Sequence, residues 1–432
     1  MTRGERHMAN ETAFNMATSN IRFGPGATAE IGMDLRDMGA KHVLVVTDPK
    51  VAKLESVSVA LQSLDDERVP YTVFDRVRSE PTDGSMKEAI DFANAHPCDA
   101  FVGIGGGSAI DTAKVVNLYT SCPADFLDYV NAPVGKALPV TKPLKPLIAV
   151  PTTSGTGSEV TSVAVVDIED QHIKTGIAHA RLKPTLGILD PNNTKTQPPL
   201  VAASTGLDVL THAAESYTAI PYTDRPKPDR PSLRPGYQGA NPISDAWSLE
   251  AMRLLARYLR RAVDDPTDDE ARGMMMIAAS LAGIGFGNAG VHLAHAMSYP
   301  ISGMVRDYVP DGYDDDHPIV PHGMSVVLNA PAVFRFTAPA NPKRHLEAAE
   351  ALGVDVSGAD PDDAGTILAD RIIDFMRDLN IPNGLAAVGF TGDDIPALVK
   401  GSVPQQRLTK LAARPNDEKD LARLFEDAMT YW

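Results

Sequence analysis

The order in which two kinds of segment follow one another constrains the fold of this chain more than any other feature. Over the first 195 residues, short runs rich in β-branched residues, such as HVLVVTD, DAFVGIG and PLIAVPTT, alternate with longer helical runs. Continuous apolar strands separated by helices are typical of a mostly parallel sheet covered on both faces. The runs VTSVAVVDIED and HIKTGIAHA predict an added antiparallel hairpin. We therefore predict an α/β domain over residues 1–195.

From about Pro199 onward, the β-branched runs thin out and helical segments dominate. Apolar residues recur at spacings of three and four in SDAWSLEAMRLLARYLRRAV and AGTILADRIIDFMRDLN, as in amphipathic helices packed together. A chain of 432 residues is also too long for one ordinary hydrophobic core. These patterns predict an all-helical domain over residues 196–432.

Composition excludes several classes of partner. The formal net charge is -16 and no Lys/Arg cluster offsets it, so we expect neither nucleic acid nor a membrane surface as a partner. With only Cys98 and Cys122, the chain suits a reducing compartment. The first 20 residues lack the apolar core of a secretory signal. We expect a cytoplasmic protein, or one of the mitochondrial matrix if the source is eukaryotic.

Four residues predict a catalytic metal site. Asp208 and His212 are four apart in the helical run GLDVLTHAAESY, so both leave one helical face. His295 lies in an apolar, Gly-rich segment and His322 in a Pro-His-Gly turn, where a buried imidazole needs a partner. One carboxylate with up to three imidazoles suits Fe(II), Zn(II), Mn(II) or Co(II). The alternative is that these histidines are hydrogen-bonded core residues.

A Gly-rich turn predicts a phosphate site. Gly105, Gly106, Gly107 and Ser108 follow the strand DAFVGIG and open a helix, where backbone N–H groups and the helix dipole favour an anion. The sequence is neither G-x-G-x-x-G nor a Walker motif, which disfavours a kinase-type loop. The alternative is a tight turn with no ligand.

Two more polar positions point to a dinucleotide. The loop PTTSGTGSE follows another strand end, and Asp48 closes the first strand, where a carboxylate would bind ribose hydroxyls and favour NAD over NADP. The candidate cofactor-binding residues are Asp48, Gly105, Gly106, Gly107, Ser108, Asp111, Thr152, Thr153, Ser154 and Lys174.

From about residue 20 to the C-terminus, the chain resembles the iron-dependent alcohol dehydrogenase family. The resemblance is carried by five blocks in this order: GGGSAIDTAK, PTTSGTGSE, GLDVLTHAAESY, AHAMSYP and VPHG. The resemblance implies a dinucleotide-binding α/β domain and a helical domain of the dehydroquinate synthase-like type, with a divalent metal in the cleft. It implies Fe(II) first and Zn(II) second, and the ligands Asp208, His212, His295 and His322. We also expect a homo-oligomer, a dimer.

Longer blocks, such as YQGANPISD and DIPALVKGSVPQQRLTKLAARP, resemble one branch of that family. Members of this branch are implied to move hydride from a hydroxyacid to an oxoacid through tightly bound NAD(H). The implied reaction converts 4-hydroxybutyrate and 2-oxoglutarate to succinate semialdehyde and 2-hydroxyglutarate. Many family members have a histidine for proton relay where this chain has Tyr299, so either Tyr299 or His292 is expected to replace it.

Two turn-rich stretches, residues 219–242 and 304–318, are expected either to overhang the site or to be solvated surface excursions. Because the implied substrates carry carboxylates, an arginine of these stretches is expected to bind one. The candidates are Arg225, Arg230, Arg234 and Arg306.

Three other functions remain open at this point. The first is an alcohol dehydrogenase or maleylacetate-type reductase with freely exchanging NAD(H). The second is a lyase of the dehydroquinate synthase type, and the third is a non-catalytic protein that binds metal and nucleotide.

Overall fold

In the computed structural model, which describes residues 10–171, 173–313 and 317–432, a six-stranded parallel sheet forms the N-terminal region. Its strand order is β1-β8-β5-β4-β2-β3. The separate pair β6 and β7 is antiparallel, which confirms the predicted hairpin. The strands are β1 (Asn20–Phe23), β2 (Val43–Val46), β3 (Tyr71–Phe74), β4 (Ala100–Gly105), β5 (Leu147–Pro151), β6 (Val163–Ile168), β7 (Ile173–Ala178) and β8 (Leu186–Leu189).

Helices cover both faces of the sheet, as the continuous apolar strands predict. Val43 and Val45 of β2 face one core, whereas Leu44 and Val46 face the other. α1 and α2 pack on the first face, and α3 and α4 on the second. The helices of this region are α1 (Ile31–Asp37), α2 (Glu55–Asp66), α3 (Asp83–Ala95), α4 (Gly107–Ser121) and α5 (Phe126–Tyr129).

The C-terminal region is helical, and from residue 196 onward the described residues contain no named strand. One large core joins its helices. The predicted boundary after residue 195 lies between the end of β8 and the start of α6. The helices are α6 (Pro199–Thr218), α7 (Pro242–Asp264), α8 (Asp269–Ala289), α9 (Leu293–Gly303), α10 (His322–Val327), α11 (Ala330–Thr337), α12 (Pro342–Ala351), α13 (Ala364–Asp378), α14 (Ile395–Ser402), α15 (Gln406–Thr409) and α16 (Glu418–Asp427).

The two regions touch backbone to backbone where the loop after β5 meets α8. Gly157 has a φ of 61°, and a Cβ placed on it would stand 2.7 Å from Cα of Gly283. Glu159, buried in the same loop, accepts a hydrogen bond from the hydroxyl of Ser280 in α8. This contact brings the ends of β2, β4 and β5 opposite the helical region.

Within the described residues, no single helix is long and apolar enough to cross a membrane. α8 and α9 pass that test only as a pair bent by 105°. Most residues of both helices are buried inside the protein.

Candidate active site

Side chains from three helices converge at one point in the cleft between the regions. Asp208 and His212 leave one face of α6, as their spacing predicts. His295 lies in the first turn of α9, and His322 begins α10. Nε2 atoms of the three imidazoles lie 3.7, 3.7 and 3.8 Å from Oδ1 of Asp208. The four ligand atoms all lie within 4.8 Å of one another.

This cluster fits a metal ion better than it fits a hydrogen-bond network. The contacts with Asp208 are too long for hydrogen bonds. Bonds of ~2.0–2.2 Å around a tetrahedral ion would place ligand atoms roughly 3.3–3.6 Å apart. Oδ1 of Asp208 and Nε2 of His295 are buried without a hydrogen-bond partner among the described residues. Because unpaired buried polar atoms are costly, a cation would satisfy both.

Burial and mutual charge set the protonation of the ligands. Burial raises the pKa of Asp208, but the neighbouring imidazoles outweigh it and hold the pKa below its usual range. For His212, burial lowers the pKa to about 3, which leaves the ring neutral and able to bind a cation. Burial also lowers the pKa of His322.

Glu215, which the sequence predictions missed, orients His295. It lies seven residues after Asp208 on the same face of α6, so the helical spacing alone could have identified it. Oε1 of Glu215 accepts the Ala294 N–H at 2.7 Å, and Oε2 bonds Nδ1 of His295. Burial lowers the pKa of His295, but the carboxylates of Glu215 and Asp208 raise it to about 9. The bond turns Nε2 of His295 toward the cluster.

Most of the residues predicted to bind a nucleotide line the same cavity, which has a volume of about 470 Å³. Asp48, Gly106 and Thr152 lie at the carboxyl ends of β2, β4 and β5, which are neighbours in the sheet. This edge is where parallel α/β sheets bind ligands. Of the ten predicted cofactor-binding residues, eight line the cavity, namely Asp48, Gly106, Gly107, Ser108, Asp111, Thr152, Thr153 and Lys174.

The glycines of the turn between β4 and α4 have different structural roles. A Cβ on Gly107 would stand 2.7 Å from Thr156, so this glycine allows α4 to approach the loop after β5. A Cβ on Gly106 would meet nothing closer than Thr153 at 3.7 Å. It would instead enter the part of the cavity beside the Gly-rich turn of residues 105–108, which we call the cradle. Gly105 has a φ of 148° and turns the chain. Gly105 and Ser154 are the two predicted cofactor-binding residues that are not among the described residues lining the cavity.

Polar contacts fix the floor of the cradle. Oδ1 of Asp48 accepts the N–H groups of Lys50 and Val51 at 2.9 Å, which holds the turn after β2. Asp111 accepts hydrogen bonds from Ser158 and from the N–H of Val165. Asp111 therefore joins α4 to the loop after β5 and to β6.

The two candidates for proton relay lie in different places. Tyr299 lines the cavity, one helical turn after His295 on α9, and its hydroxyl accepts a hydrogen bond from Arg407 at 3.2 Å. His292 precedes α9 and is fully buried. Its Nε2 lies 3.1 Å from the Thr218 hydroxyl and its Nδ1 lies 3.1 Å from Glu215. His292 is not one of the described residues that line the cavity.

The insert arginines do not reach the cavity, and the prediction that one of them binds a substrate carboxylate is wrong. Arg225 bonds the carbonyl of Tyr237, Arg234 pairs with Glu11, and Arg306 pairs with Asp394. None of the four arginines is among the described cavity-lining residues. The stretches themselves contribute Tyr237, Gly312 and Tyr313 to the cavity wall, while residues 314–316 lie outside the described residues.

A sheet edge with the predicted nucleotide-binding residues, facing a carboxylate and imidazole cluster, fits a metal- and nucleotide-dependent oxidoreductase. The model for iron-containing alcohol dehydrogenase matches residues 18–191, and the model for the C-terminal region of the Fe-containing alcohol dehydrogenase family matches residues 237–429. The chain belongs to the iron-containing alcohol dehydrogenase family. Membership implies a divalent metal and NAD(H).

Relatives and solved structures agree with this assignment. The mitochondrial hydroxyacid-oxoacid transhydrogenase of Homo sapiens is 58% identical over 419 residues, which cover 96% of this chain and 90% of the relative. Its counterpart in Xenopus tropicalis is 58% identical over 421 residues, with 97% and 91% covered. The structure of a 1,3-propanediol oxidoreductase is 29% identical, with a TM-score of 0.84 and coverage of 96% and 100%. An alcohol dehydrogenase from Oenococcus oeni is 28% identical, with a TM-score of 0.83 and the same coverage.

Proposed function

We propose that this enzyme transfers hydride from a hydroxyacid to an oxoacid through NAD(H) that stays bound between the two half-reactions. The proposed pair is 4-hydroxybutyrate and 2-oxoglutarate, which give succinate semialdehyde and 2-hydroxyglutarate. The supporting observation is that a metal-ligand cluster and a dinucleotide cradle share one cavity in a chain 58% identical to hydroxyacid-oxoacid transhydrogenases.

In this proposal, Asp208, His212, His295 and His322 hold the metal, with Fe(II) first and Zn(II) second. When bound, a divalent metal supplies a Lewis acid for the substrate oxygen, and the nicotinamide accepts and returns the hydride.

The chain's own residues then position the reactants. Backbone N–H groups at Gly107 and Ser108, in the first turn of α4, would hold the pyrophosphate at the positive end of that helix. Glu215 fixes the ring of His295. Of the two relay candidates, only Tyr299 lines the cavity, so its hydroxyl is the one of the two that can contact the substrate. His292 supports Glu215 from behind.

A mixing experiment tests the function. Purified protein, given 4-hydroxybutyrate deuterated at the carbinol carbon and 2-oxoglutarate without added nucleotide, should release succinate semialdehyde over many turnovers. Mass spectrometry should find the deuterium at C2 of 2-hydroxyglutarate, because the hydride never leaves the bound cofactor.

The control omits 2-oxoglutarate. It should yield at most one semialdehyde per bound nucleotide. If turnover instead requires added NAD and no oxoacid, the enzyme is an alcohol dehydrogenase with freely exchanging NAD(H), like the activity named for its solved relatives.

Three further properties remain predictions. We propose a homodimer. If the source is eukaryotic, we propose a location in the mitochondrial matrix, because the names of the relatives call those proteins mitochondrial. For a bacterial source we propose the cytoplasm. Small hydroxyacids and oxoacids are the proposed partners, with neither nucleic acid nor a membrane.

A further inference from the structure

A partly buried arginine beside the cavity has no acidic partner in the part of the chain that the structure describes. Arg407 lies in α15, donates to the Tyr299 hydroxyl at 3.2 Å and stands 5.4 Å from the centroid of the Tyr237 ring. Among the described residues, no carboxylate lies within ion-pair distance of Arg407. A guanidinium stays charged in proteins, and a charge removed from water is costly unless an anion accompanies it.

The surroundings of Arg407 are apolar, which strengthens its field. Tyr299 and Leu408 belong to a buried cluster with Phe286, Val291 and Ala296, and Tyr237 packs against it. Such a low-dielectric setting makes an electrostatic contact stronger than it would be in water. The side-chain amide of Gln405 at the start of α15 donates to the carbonyl of Lys174 at 3.0 Å, which holds the segment against β7.

The other cations near this end of the cavity are already neutralised. Lys174 lines the cavity but pairs with Glu80. Burial lowers the pKa of Lys174, yet Asp167 and Glu80 outweigh burial and raise it. Lys114 is fully buried and bonds Asp111. Only Arg407 among these three carries a charge that no described carboxylate balances.

The Tyr299 hydroxyl connects Arg407 to the cavity through a hydrogen bond. Its oxygen accepts from Arg407, and its own proton has no acceptor among the residues that the structure describes. The hydroxyl can therefore donate to an anion in the cavity while Arg407 polarises it. One helical turn, about 5.4 Å, separates Tyr299 from the metal ligand His295. A four-carbon hydroxyacid has a comparable length.

We propose that Tyr299 and Arg407 bind the carboxylate of the substrate while its oxygen faces the metal-ligand cluster. This inference rests on the proposed function and names the feature that selects acids over neutral alcohols. Arg407 acts through Tyr299 and is a positioning and specificity residue, whereas Tyr299 contacts the substrate.

The test compares matched substrates in the holoenzyme. 1,4-Butanediol has the chain length of 4-hydroxybutyrate but no carboxylate. Arg407→Met should reduce kcat/KM for 4-hydroxybutyrate and 2-oxoglutarate by roughly 10- to 150-fold, mainly through KM, because a charge-assisted contact is lost. Activity on 1,4-butanediol should be nearly unchanged. Arg407→Lys should restore part of the loss.

Calorimetric titration of 2-oxoglutarate into the holoenzyme provides a readout that needs no turnover. Its Kd should rise by the same factor in Arg407→Met, and by at least that factor in Tyr299→Phe, which removes the hydroxyl that contacts the carboxylate. Arg414→Met is the control, because Arg414 is exposed and stacks on Phe336 away from the cavity.

The outcomes separate this inference from the proposed function. Wild-type KM and Kd for the acids in both Arg407→Met and Tyr299→Phe would overturn the inference, even if hydride exchange between the acids is confirmed. An equal loss of kcat on acid and diol in Tyr299→Phe would overturn it in favour of a proton relay. If the wild type shows no exchange but the variants still weaken 2-oxoglutarate binding, the function fails and the carboxylate site stands.

Discussion

At the scale of single residues, the site depends on how α6 spaces its polar side chains. Asp208, His212 and Glu215 occupy one face, so one helix supplies two of the proposed ligands and the group that orients a third. An unpaired buried carboxylate would be costly, and the surrounding imidazoles alone lie too far from Asp208 to satisfy it by hydrogen bonds. A bound cation would therefore stabilise the cluster.

His212→Ala should lower both bound metal and turnover while the fold persists. The variant removes one of four ligands but leaves the packing of α6 with α7 and α8 in place. Metal content by atomic emission and helicity by circular dichroism measure the two effects. His96→Ala, an exposed histidine at the end of α3, is the control. Undiminished metal and full activity in His212→Ala would refute the ligand assignment.

The clustering of the four proposed ligands could be predicted from the sequence because each sits in a local motif. Glu215 also had a local signal, its helical spacing from Asp208. Arg407 had none, because it meets Tyr299 only through tertiary packing over 108 residues. The insert arginines were misassigned for the same reason, since proximity in the sequence to a ligand does not place a side chain in the cavity.

At the scale of elements, long periodic segments were predicted correctly and short ones were missed. β1 and β8 have four residues each, and the sequence pattern did not distinguish them from loops. The sequence predictions also missed α10 and α11, which lie in the apolar run MSVVLNAPAVF. Nearly all residues of this run are buried, so its apolar positions show no helical period. His292 precedes His295 by three residues in the sequence, but α9 begins only after His292.

The turn from β4 into α4 makes a prediction of its own. Gly106→Val should lose bound nucleotide, because the new side chain would fill the cradle where backbone N–H groups approach the pyrophosphate. We expect Gly106→Val to fold, because Gly106 has open space around it and a φ of -71° that other residues adopt. Nucleotide released by acid precipitation can be quantified by its absorbance. Gly392→Ala, in open space, is the control. Wild-type nucleotide content and turnover in Gly106→Val would show that the turn has only a structural task.

At the scale of the whole molecule, the sheet edge and the helical region must stay at a fixed separation for one cavity to hold both reactants. That separation is set by the contact between the loop after β5 and α8. A Cβ on Gly283 would stand 2.6 Å from Cγ2 of Val160 and 3.0 Å from Cα of Gly157. Much of the neighbouring structure is backbone, so it cannot yield by changing a rotamer.

Gly283→Ala should therefore push the loop away from α8. We expect a loss of about 1–3 kcal/mol in stability from overpacking, seen as a lower midpoint of thermal unfolding. Nucleotide content should fall as well, because Thr152 and Thr153 belong to the displaced loop. Metal content should persist, since α6, α9 and α10 carry every proposed ligand. Gly273→Ala in the same helix is the matched control, because its Cβ would meet Phe23 at an ordinary 3.4 Å. If Gly283→Ala retains wild-type stability and nucleotide while Gly273→Ala behaves the same, the glycine contact does not set the spacing of the two regions.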